Sequence, residues 1–191
     1  GSWADIWINE GFASYSEYLM LENLYSPGQA ANDMQGRHDY IMQDPGGSVW
    51  VLDSLNEGSI FDGRLVYDKG AAIIHSLRYM VNNDQNFFDG LKNFQVNFAE
   101  STAIGLDLKA ELEAASGVNL TEFFEQWYFG EGYPTYSAQY YLDGTDLLVR
   151  INHTASMPSV TPTFTNPIDV RVLRAGAADT ILRLDISTNS D

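Results

Sequence analysis

The sequence predicts an α+β fold, in which a mainly helical part over residues 1–134 is followed by a small antiparallel β-sandwich-like module over residues 135–191. In the first part, apolar residues recur at intervals of three and four positions, which is typical of amphipathic helices. From Thr135 onward, apolar and polar residues alternate, which is typical of strands. The change falls at Gly130-Glu131-Gly132-Tyr133-Pro134, whose glycines and proline indicate a domain boundary.

The helical part begins with a predicted helix over about residues 9–23. Ser26 followed by Pro27 begins the second helix, because serine favours the N-cap and proline the first helical position. Asp44-Pro45-Gly46-Gly47 ends that helix, and residues 46–63 are predicted to form a long loop. The later predicted helices cover residues 65–80, 84–94, 107–116 with Gly117 as C-cap, and 120–127 with Asn119 and Glu122 as a capping box.

The second part is predicted to contain four strands, and Asp143-Gly144 is a turn signal between the first two. The predicted strands are residues 136–142, 147–151, 168–173 and 181–186, with a linker over 161–167. His153, just after the second predicted strand, is expected to be an exposed polar residue. The β module is expected to be incomplete, since the chain stops at Asp191.

The composition excludes several classes of protein. At 45% hydrophobic residues the chain can bury a sizeable core, which argues against disorder. It has no cysteine, which excludes a disulfide framework and thiol chemistry, and no apolar run of membrane-spanning length. The net charge is −16, and residues 1–134 carry 20 acidic and 6 basic residues. Such a surface repels phosphate backbones, so we expect no nucleic-acid partner.

The first stretch of the chain places two acidic residues beside large aromatic residues. It reads Trp3-Ala4-Asp5-Ile6-Trp7-Ile8-Asn9-Glu10-Gly11-Phe12-Ala13-Ser14-Tyr15-Ser16-Glu17. Glu10 and Glu17 are separated by two helical turns and therefore share a helix face. The spacing alone favours a solvated acidic stripe on a surface helix. The alternative is a site, because carboxylates are costly to bury without a partner.

Two further segments stand out along the chain. One is Val66-Tyr67-Asp68-Lys69-Gly70-Ala71, preceded by Ile60-Phe61-Asp62. The other is Leu120-Thr121-Glu122-Phe123-Phe124-Glu125-Gln126-Trp127, followed by Gly132-Tyr133-Pro134. Judged by pattern alone, Tyr67 is an ordinary core or surface aromatic residue, and His75 in the helix after it is a core or rim histidine.

Together these three segments, in this order, resemble the M1 family of zinc aminopeptidases. The resemblance covers residues 3–134 and implies the helical lobe of a thermolysin-like catalytic domain, followed by a β module. It implies that Glu10 is the third zinc ligand and that Glu17 orients a histidine ligand from behind the metal. It implies that Tyr67 is the catalytic tyrosine, whose hydroxyl stabilises the oxyanion formed when a zinc-activated water attacks a peptide.

The chain departs from the family at one essential point. It contains no H-E-x-x-H, and its histidines, His38, His75 and His153, are widely scattered. It also begins with Gly-Ser rather than Met. We therefore expect the chain to be a fragment whose two histidine ligands and general base lie upstream, and which is inactive and binds zinc poorly on its own.

The leading hypothesis is thus a fragment of a zinc metallopeptidase that removes N-terminal residues from peptides. The alternative is a noncatalytic helical and β interaction module derived from such an enzyme, and the presence of both Glu10 and Tyr67 argues against it. The expected partners are peptides with a free N-terminus. An exported or cell-envelope bacterial protein is slightly favoured over a cytoplasmic one by the acidity, the lack of cysteine and the Ser- and Thr-containing β tail. Oligomeric state and residue preference are left open.

Overall fold

The computed structural model describes residues 2–144 and 146–186. The chain divides into two compact units between Glu131 and Gly132. Three parts of the chain lie outside the described residues, namely Gly1, Thr145 and residues 187–191. Gly1 and residues 187–191 are the outer ends of the two predicted domains. The first unit is helical and the second contains antiparallel strands, so the predicted α+β fold is confirmed.

The helical unit opens with a 3₁₀ turn, Trp3–Asp5, and continues through α-helices and two π-helical segments. The α-helices are α1 (Trp7–Leu24), α2 (Pro27–Ile41), α3 (Glu57–Ile60), α4 (Gly70–Val81), α5 (Asp84–Asn97), α6 (Gly105–Ser116) and α7 (Thr121–Phe123). The π-helical segments are Gly63–Lys69, directly before α4, and Phe124–Phe129, directly after α7. Within the described residues, no helix is both long and apolar enough to cross a bilayer.

Several helix ends lie where the sequence signals place them. The Ser26 hydroxyl accepts a hydrogen bond from the Gln29 N–H at 3.2 Å, with Pro27 as the first residue of α2. Gly117 follows α6 with φ of +73°, the left-handed conformation that glycine adopts without a Cβ penalty. The predicted N-cap of the last helix, Asn119, was wrong in position, because Leu120 is the N-cap of α7. The Asn119 side chain nevertheless accepts a hydrogen bond from the Thr121 N–H at 2.9 Å.

The core of the helical unit forms where α1, α4, α5 and α6 pack together. Trp7 and Tyr15 on α1 are almost completely buried, as is Phe87 on α5. The α4 and α6 helices contribute the aliphatic part of this core. Their most deeply buried residues are Ile73, Ile74, Leu77, Leu108 and Leu112. Packing of α1 and α4 against this shared core fixes the positions of the segments that contain Glu10 and Tyr67.

The second unit contains two hairpins. Strand β1 (Pro134–Asp143) pairs antiparallel with β2 (Asp146–Ala155), and β3 (Ile168–Val172) pairs antiparallel with β4 (Thr180–Leu184). Each sheet has two strands among the described residues. The turn between β1 and β2 contains Gly144 with φ of +62°, which matches the predicted Asp-Gly turn.

The prediction for His153 was wrong, because this residue is buried inside β2 rather than exposed after it. It lies opposite Tyr136 on β1, and the two rings are 5.7 Å apart. Its Nε2 accepts a hydrogen bond from the Phe164 N–H at 3.2 Å. The predicted linker therefore covers this histidine, since Phe164 is itself completely buried.

Candidate active site

Glu10 and Tyr67 lie together in the folded chain, although 57 positions separate them in the sequence. The Tyr67 hydroxyl lies close enough to the Glu10 carboxylate to interact with it, and both residues are partly exposed. Partial burial and then the negative charge of Glu10 raise the pKa of Tyr67 above its usual value. The phenol is therefore protonated at neutral pH and available as a hydrogen-bond donor.

The backbone brings these two side chains together through a pair of glycines. Gly11 follows Glu10 on α1, and Gly70 begins α4 three residues after Tyr67. A Cβ on Gly11 would lie 2.9 Å from the Gly70 carbonyl carbon and 3.0 Å from its Cα. Such distances leave no room for a side chain at either position, so α1 and the start of α4 approach as closely as two backbones can.

Tyr67 lies in the π-helical segment Gly63–Lys69, where the sequence predicted ordinary α-helix. Asp62 caps this segment, and its carboxylate accepts a hydrogen bond from the Leu65 N–H at 2.8 Å. The wider turn buries Val66 and Lys69 while Tyr67 between them remains half-exposed. Single π-helical turns of this kind occur frequently at functional sites.

Two basic side chains of the same segment hold the preceding loop in place. Arg64 Nη1 donates to the carbonyl oxygens of Ile41, Asp44 and Gly46 at 3.1–3.3 Å. Lys69 is buried, and its Nζ donates to the Gly47 oxygen at 2.7 Å. Burial, together with the positive charge of Arg64, lowers the pKa of Lys69 to about 8, against an opposing effect of Glu131. The long loop that the sequence predicted is thus an ordered part of the site region.

Glu17 occupies a different environment from Glu10. Its carboxylate is 66% exposed and binds Arg37 of α2, whose Nη2 lies 2.6 Å from the Glu17 Oε2. The same guanidinium also binds Asp68, the residue after Tyr67, at 2.6 Å. Arg37 was not identified from the sequence, because a single arginine on a polar helix carries no distinguishing pattern.

Among residues 2–144 and 146–186, no three His, Asp or Glu side chains are grouped so that they could hold a metal ion. His75 packs its ring 4.5 Å from that of Tyr18 and 5.9 Å from that of Tyr15, as expected for a core or rim histidine. Burial lowers the pKa of both His38 and His75.

A groove of about 510 Å³ lies between α1 and α5. Its apolar lining includes Phe12 and Leu19 of α1 and Phe88, Leu91 and Phe94 of α5. Glu10 and Tyr67 are not among the residues that line it. The groove is therefore separate from the candidate active site.

Comparison with known proteins places this chain among peptidases. Residues 1–127 match the model described as Peptidase family M1 domain. Aminopeptidase N of Lactococcus lactis subsp. lactis is 29% identical over 147 residues, which are 72% of this chain and 17% of that protein. Aminopeptidase M1-B of Oryza sativa subsp. japonica is 32% identical over 151 residues, 76% of this chain and 17% of that protein.

A solved structure has the same fold. It is the crystal structure of Legionella pneumophila aminopeptidase A in complex with aspartic acid, with a TM-score of 0.73 and 16% identity. The match covers 99% of this chain and 21% of that chain. This chain therefore spans about a fifth or less of the length of the proteins it resembles.

Proposed function

This chain belongs to peptidase family M1, and we propose that it is the part of a zinc aminopeptidase that supplies one metal ligand, Glu10, and one oxyanion-stabilising hydroxyl, that of Tyr67. The observation that carries the proposal is that the fold brings these two residues together, beside the backbone contact of Gly11 with Gly70. The matched relatives are aminopeptidases, so the proposed substrates are peptides with a free N-terminus.

The chemistry and environment of Glu10 support its proposed role as a zinc ligand. Catalytic zinc sites commonly combine a carboxylate with two histidines, and a zinc ion held in part by Glu10 would polarise the peptide carbonyl and activate water. Glu10 is partly buried, and its carboxylate lies near the Tyr67 hydroxyl. Since the described residues contain no complete set of ligands, the two histidines and the general base are proposed to come from the rest of the enzyme.

Tyr67 is proposed to act as a neutral hydrogen-bond donor. When water attacks a peptide bond, negative charge develops on the carbonyl oxygen, and a fixed donor beside it lowers the barrier. The raised pKa of Tyr67 keeps its proton in place at neutral pH. Glu17 is proposed to orient a histidine ligand, while its bond to Arg37 fixes its own position.

The complete enzyme provides the decisive test. Glu10→Gln should lose zinc, measured as bound metal, and should lose peptide hydrolysis. Tyr67→Phe should keep zinc and an unchanged KM, while kcat falls by about 10²- to 10³-fold. Glu57→Gln and Tyr25→Phe are matched controls at exposed positions, and they should leave both the bound zinc and the rate of peptide hydrolysis unchanged.

Two results would contradict the proposal. Full turnover by Tyr67→Phe would remove the proposed role of that hydroxyl, and peptidase activity of the isolated 191-residue chain would show that the site does not depend on upstream ligands. A complete protein that hydrolyses no peptide and binds no zinc would favour the alternative, a noncatalytic interaction module derived from such an enzyme.

A further inference from the structure

One arginine connects the two segments that carry the proposed site residues. Arg37 of α2 binds three carboxylates: Nη2 to Glu17 at 2.6 Å, Nε to Asp33 at 2.9 Å, and Nη1 to Asp68 at 2.6 Å. Its side chain is only 12% exposed. Every nitrogen of the guanidinium therefore has a carboxylate partner in a partly desolvated position, where such bonds are stronger than at the surface.

The partners of Arg37 belong to separate elements. Glu17 lies on α1, two turns after Glu10, and Asp68 directly follows Tyr67 in the π-helical segment. Asp33 lies one turn before Arg37 on α2 and holds the guanidinium from its own helix. Arg37 therefore links the helix of Glu10 to the turn of Tyr67 through its two acidic partners, Glu17 and Asp68. A planar guanidinium, with donors on three nitrogens, can make these bonds at the same time.

We propose that Arg37 is a positioning residue, which fixes the Tyr67 hydroxyl relative to the Glu10 carboxylate by binding Asp68 and Glu17 together. This inference rests on the proposed function, since it assigns the purpose of that geometry. Without Arg37, three carboxylates would face one another with no cation between them, and the π-helical segment would move away from α1. A displacement of about 1 Å at a catalytic group can reduce the rate by about 10²-fold.

A second arginine supplies a matched control. Arg78 of α4 binds Glu22 of α1 at 2.8 Å and Asp84 of α5 at 2.6 Å, and its side chain is 15% exposed. It thus resembles Arg37 in exposure and in its link to a glutamate of α1. The difference is that neither of its carboxylate partners, Glu22 and Asp84, lies in the π-helical segment that carries Tyr67.

The test compares four variants, Arg37→Gln, Arg37→Lys, Asp68→Asn and Arg78→Gln. In the 191-residue chain, the Tyr67 hydroxyl is observed by NMR of ¹³Cζ-labelled tyrosine, and Tyr67→Phe identifies its signal. In the complete enzyme, kcat and KM are measured with a peptide substrate. Arg37→Gln and Asp68→Asn should shift the Tyr67 signal and lower kcat by about 10- to 100-fold, with KM changed by less than about twofold.

Arg37→Lys should lie between the wild type and Arg37→Gln, since a lysine keeps the charge but cannot bind three carboxylates in the same geometry. Arg78→Gln should leave both the Tyr67 signal and kcat unchanged. An unshifted Tyr67 signal in Arg37→Gln would overturn the proposal, and Asp68→Asn takes its place if Arg37→Gln does not fold. An equal loss of kcat in Arg78→Gln would also overturn it. The NMR result is independent of catalysis, so it remains decisive even if Tyr67→Phe shows that the proposed function is wrong.

Discussion

Gly11 and Gly70 pack backbone against backbone, and a Cβ on Gly70 would lie 3.0 Å from the Gly11 Cα. This contact joins α1 to the start of α4 beside Glu10 and Tyr67. Neither glycine has an unusual backbone conformation, since neither appears among the positive-φ residues. Their role is therefore steric, because only a residue without a side chain permits this approach.

Gly11→Ala is expected to destabilise the chain by about 1–3 kcal/mol, because the added methyl group meets rigid backbone rather than a movable side chain. The free energy of unfolding measured in urea checks this. Gly36→Ala on α2 is the control, since a Cβ there meets nothing within 4 Å. It should raise stability by about 0.5–1 kcal/mol, because alanine favours helix more than glycine does. Equal effects of the two substitutions would contradict the steric explanation.

The sequence was sufficient for the longer helices and the strands, but not for the short helix α3 inside the predicted loop, nor for the contacts between helices. Ser26, Pro27 and Gly117 mark helix ends through local chemistry, which acts before any tertiary packing. The π-helical segment around Tyr67 could not be predicted, because an α-helix and a π-helical turn bury apolar residues at nearly the same spacing. For His153, a usable signal existed: alternation within β2 places it on the same face as the buried Ile151.

Replacement of Glu10 should lower the pKa of Tyr67. In the wild type, partial burial and then the negative charge of Glu10 raise that pKa. Glu10→Gln removes the charge, so the phenol should titrate closer to its ordinary value of about 10. The measurement is an NMR titration of ¹³Cζ-labelled tyrosine in the 191-residue chain. Glu57→Gln on α3 should leave the curve unchanged, and an unchanged pKa in Glu10→Gln would mean that the two side chains do not interact in solution.

The candidate site shows the same division between what the sequence reveals and what it does not. Glu10 and Tyr67 were identified because their neighbouring residues resemble a known family. Arg37 and Lys69 were missed, because their importance depends on burial and on partners distant in the sequence. Lys69 in particular reads as an ordinary surface lysine, and only the fold shows that it is buried.

Asp5 and Tyr128 form a buried polar contact that should contribute measurably to stability. The Tyr128 hydroxyl donates to the Asp5 Oδ1 at 2.5 Å, and the Gly105 N–H donates to the same oxygen at 2.9 Å. Burial and the neighbouring carboxylate raise the pKa of Tyr128. Asp5→Ala leaves both donors buried without this acceptor and should cost about 3 kcal/mol, while Tyr128→Phe should cost about 2 kcal/mol.

Chemical denaturation of the single and double variants tests this contact. The double variant should be less destabilised than the two single variants added together, because each single change already breaks the same bond. Asp185→Ala, at an exposed position, should change stability by less than about 0.5 kcal/mol. Strict additivity of the Asp5 and Tyr128 effects would show that the two side chains contribute independently.

The buried Lys69 predicts a particular dependence of stability on pH. Its pKa is lowered to about 8 in the folded chain, chiefly by burial, compared with about 10.4 in an unfolded chain. Between these two values the unfolded state binds more protons than the folded state, so the free energy of unfolding rises with pH. Between about pH 7 and about pH 9, the loss of the proton from Lys69 should therefore raise the free energy of unfolding by about 1 kcal/mol. The charged form, present below the folded pKa, is the one that costs stability.

The measurement compares the wild type with Lys69→Met in urea at several pH values, since other groups titrate equally in both proteins and cancel in the difference. Lys69→Met also removes the donor to the Gly47 oxygen, which lowers its stability at every pH by a constant amount. Only the slope of the difference against pH therefore reports the buried ammonium group. The free energy of unfolding of the wild type should increase relative to that of the variant as the pH rises through about 8. A difference that does not change with pH would mean that Lys69 is solvated in the folded chain.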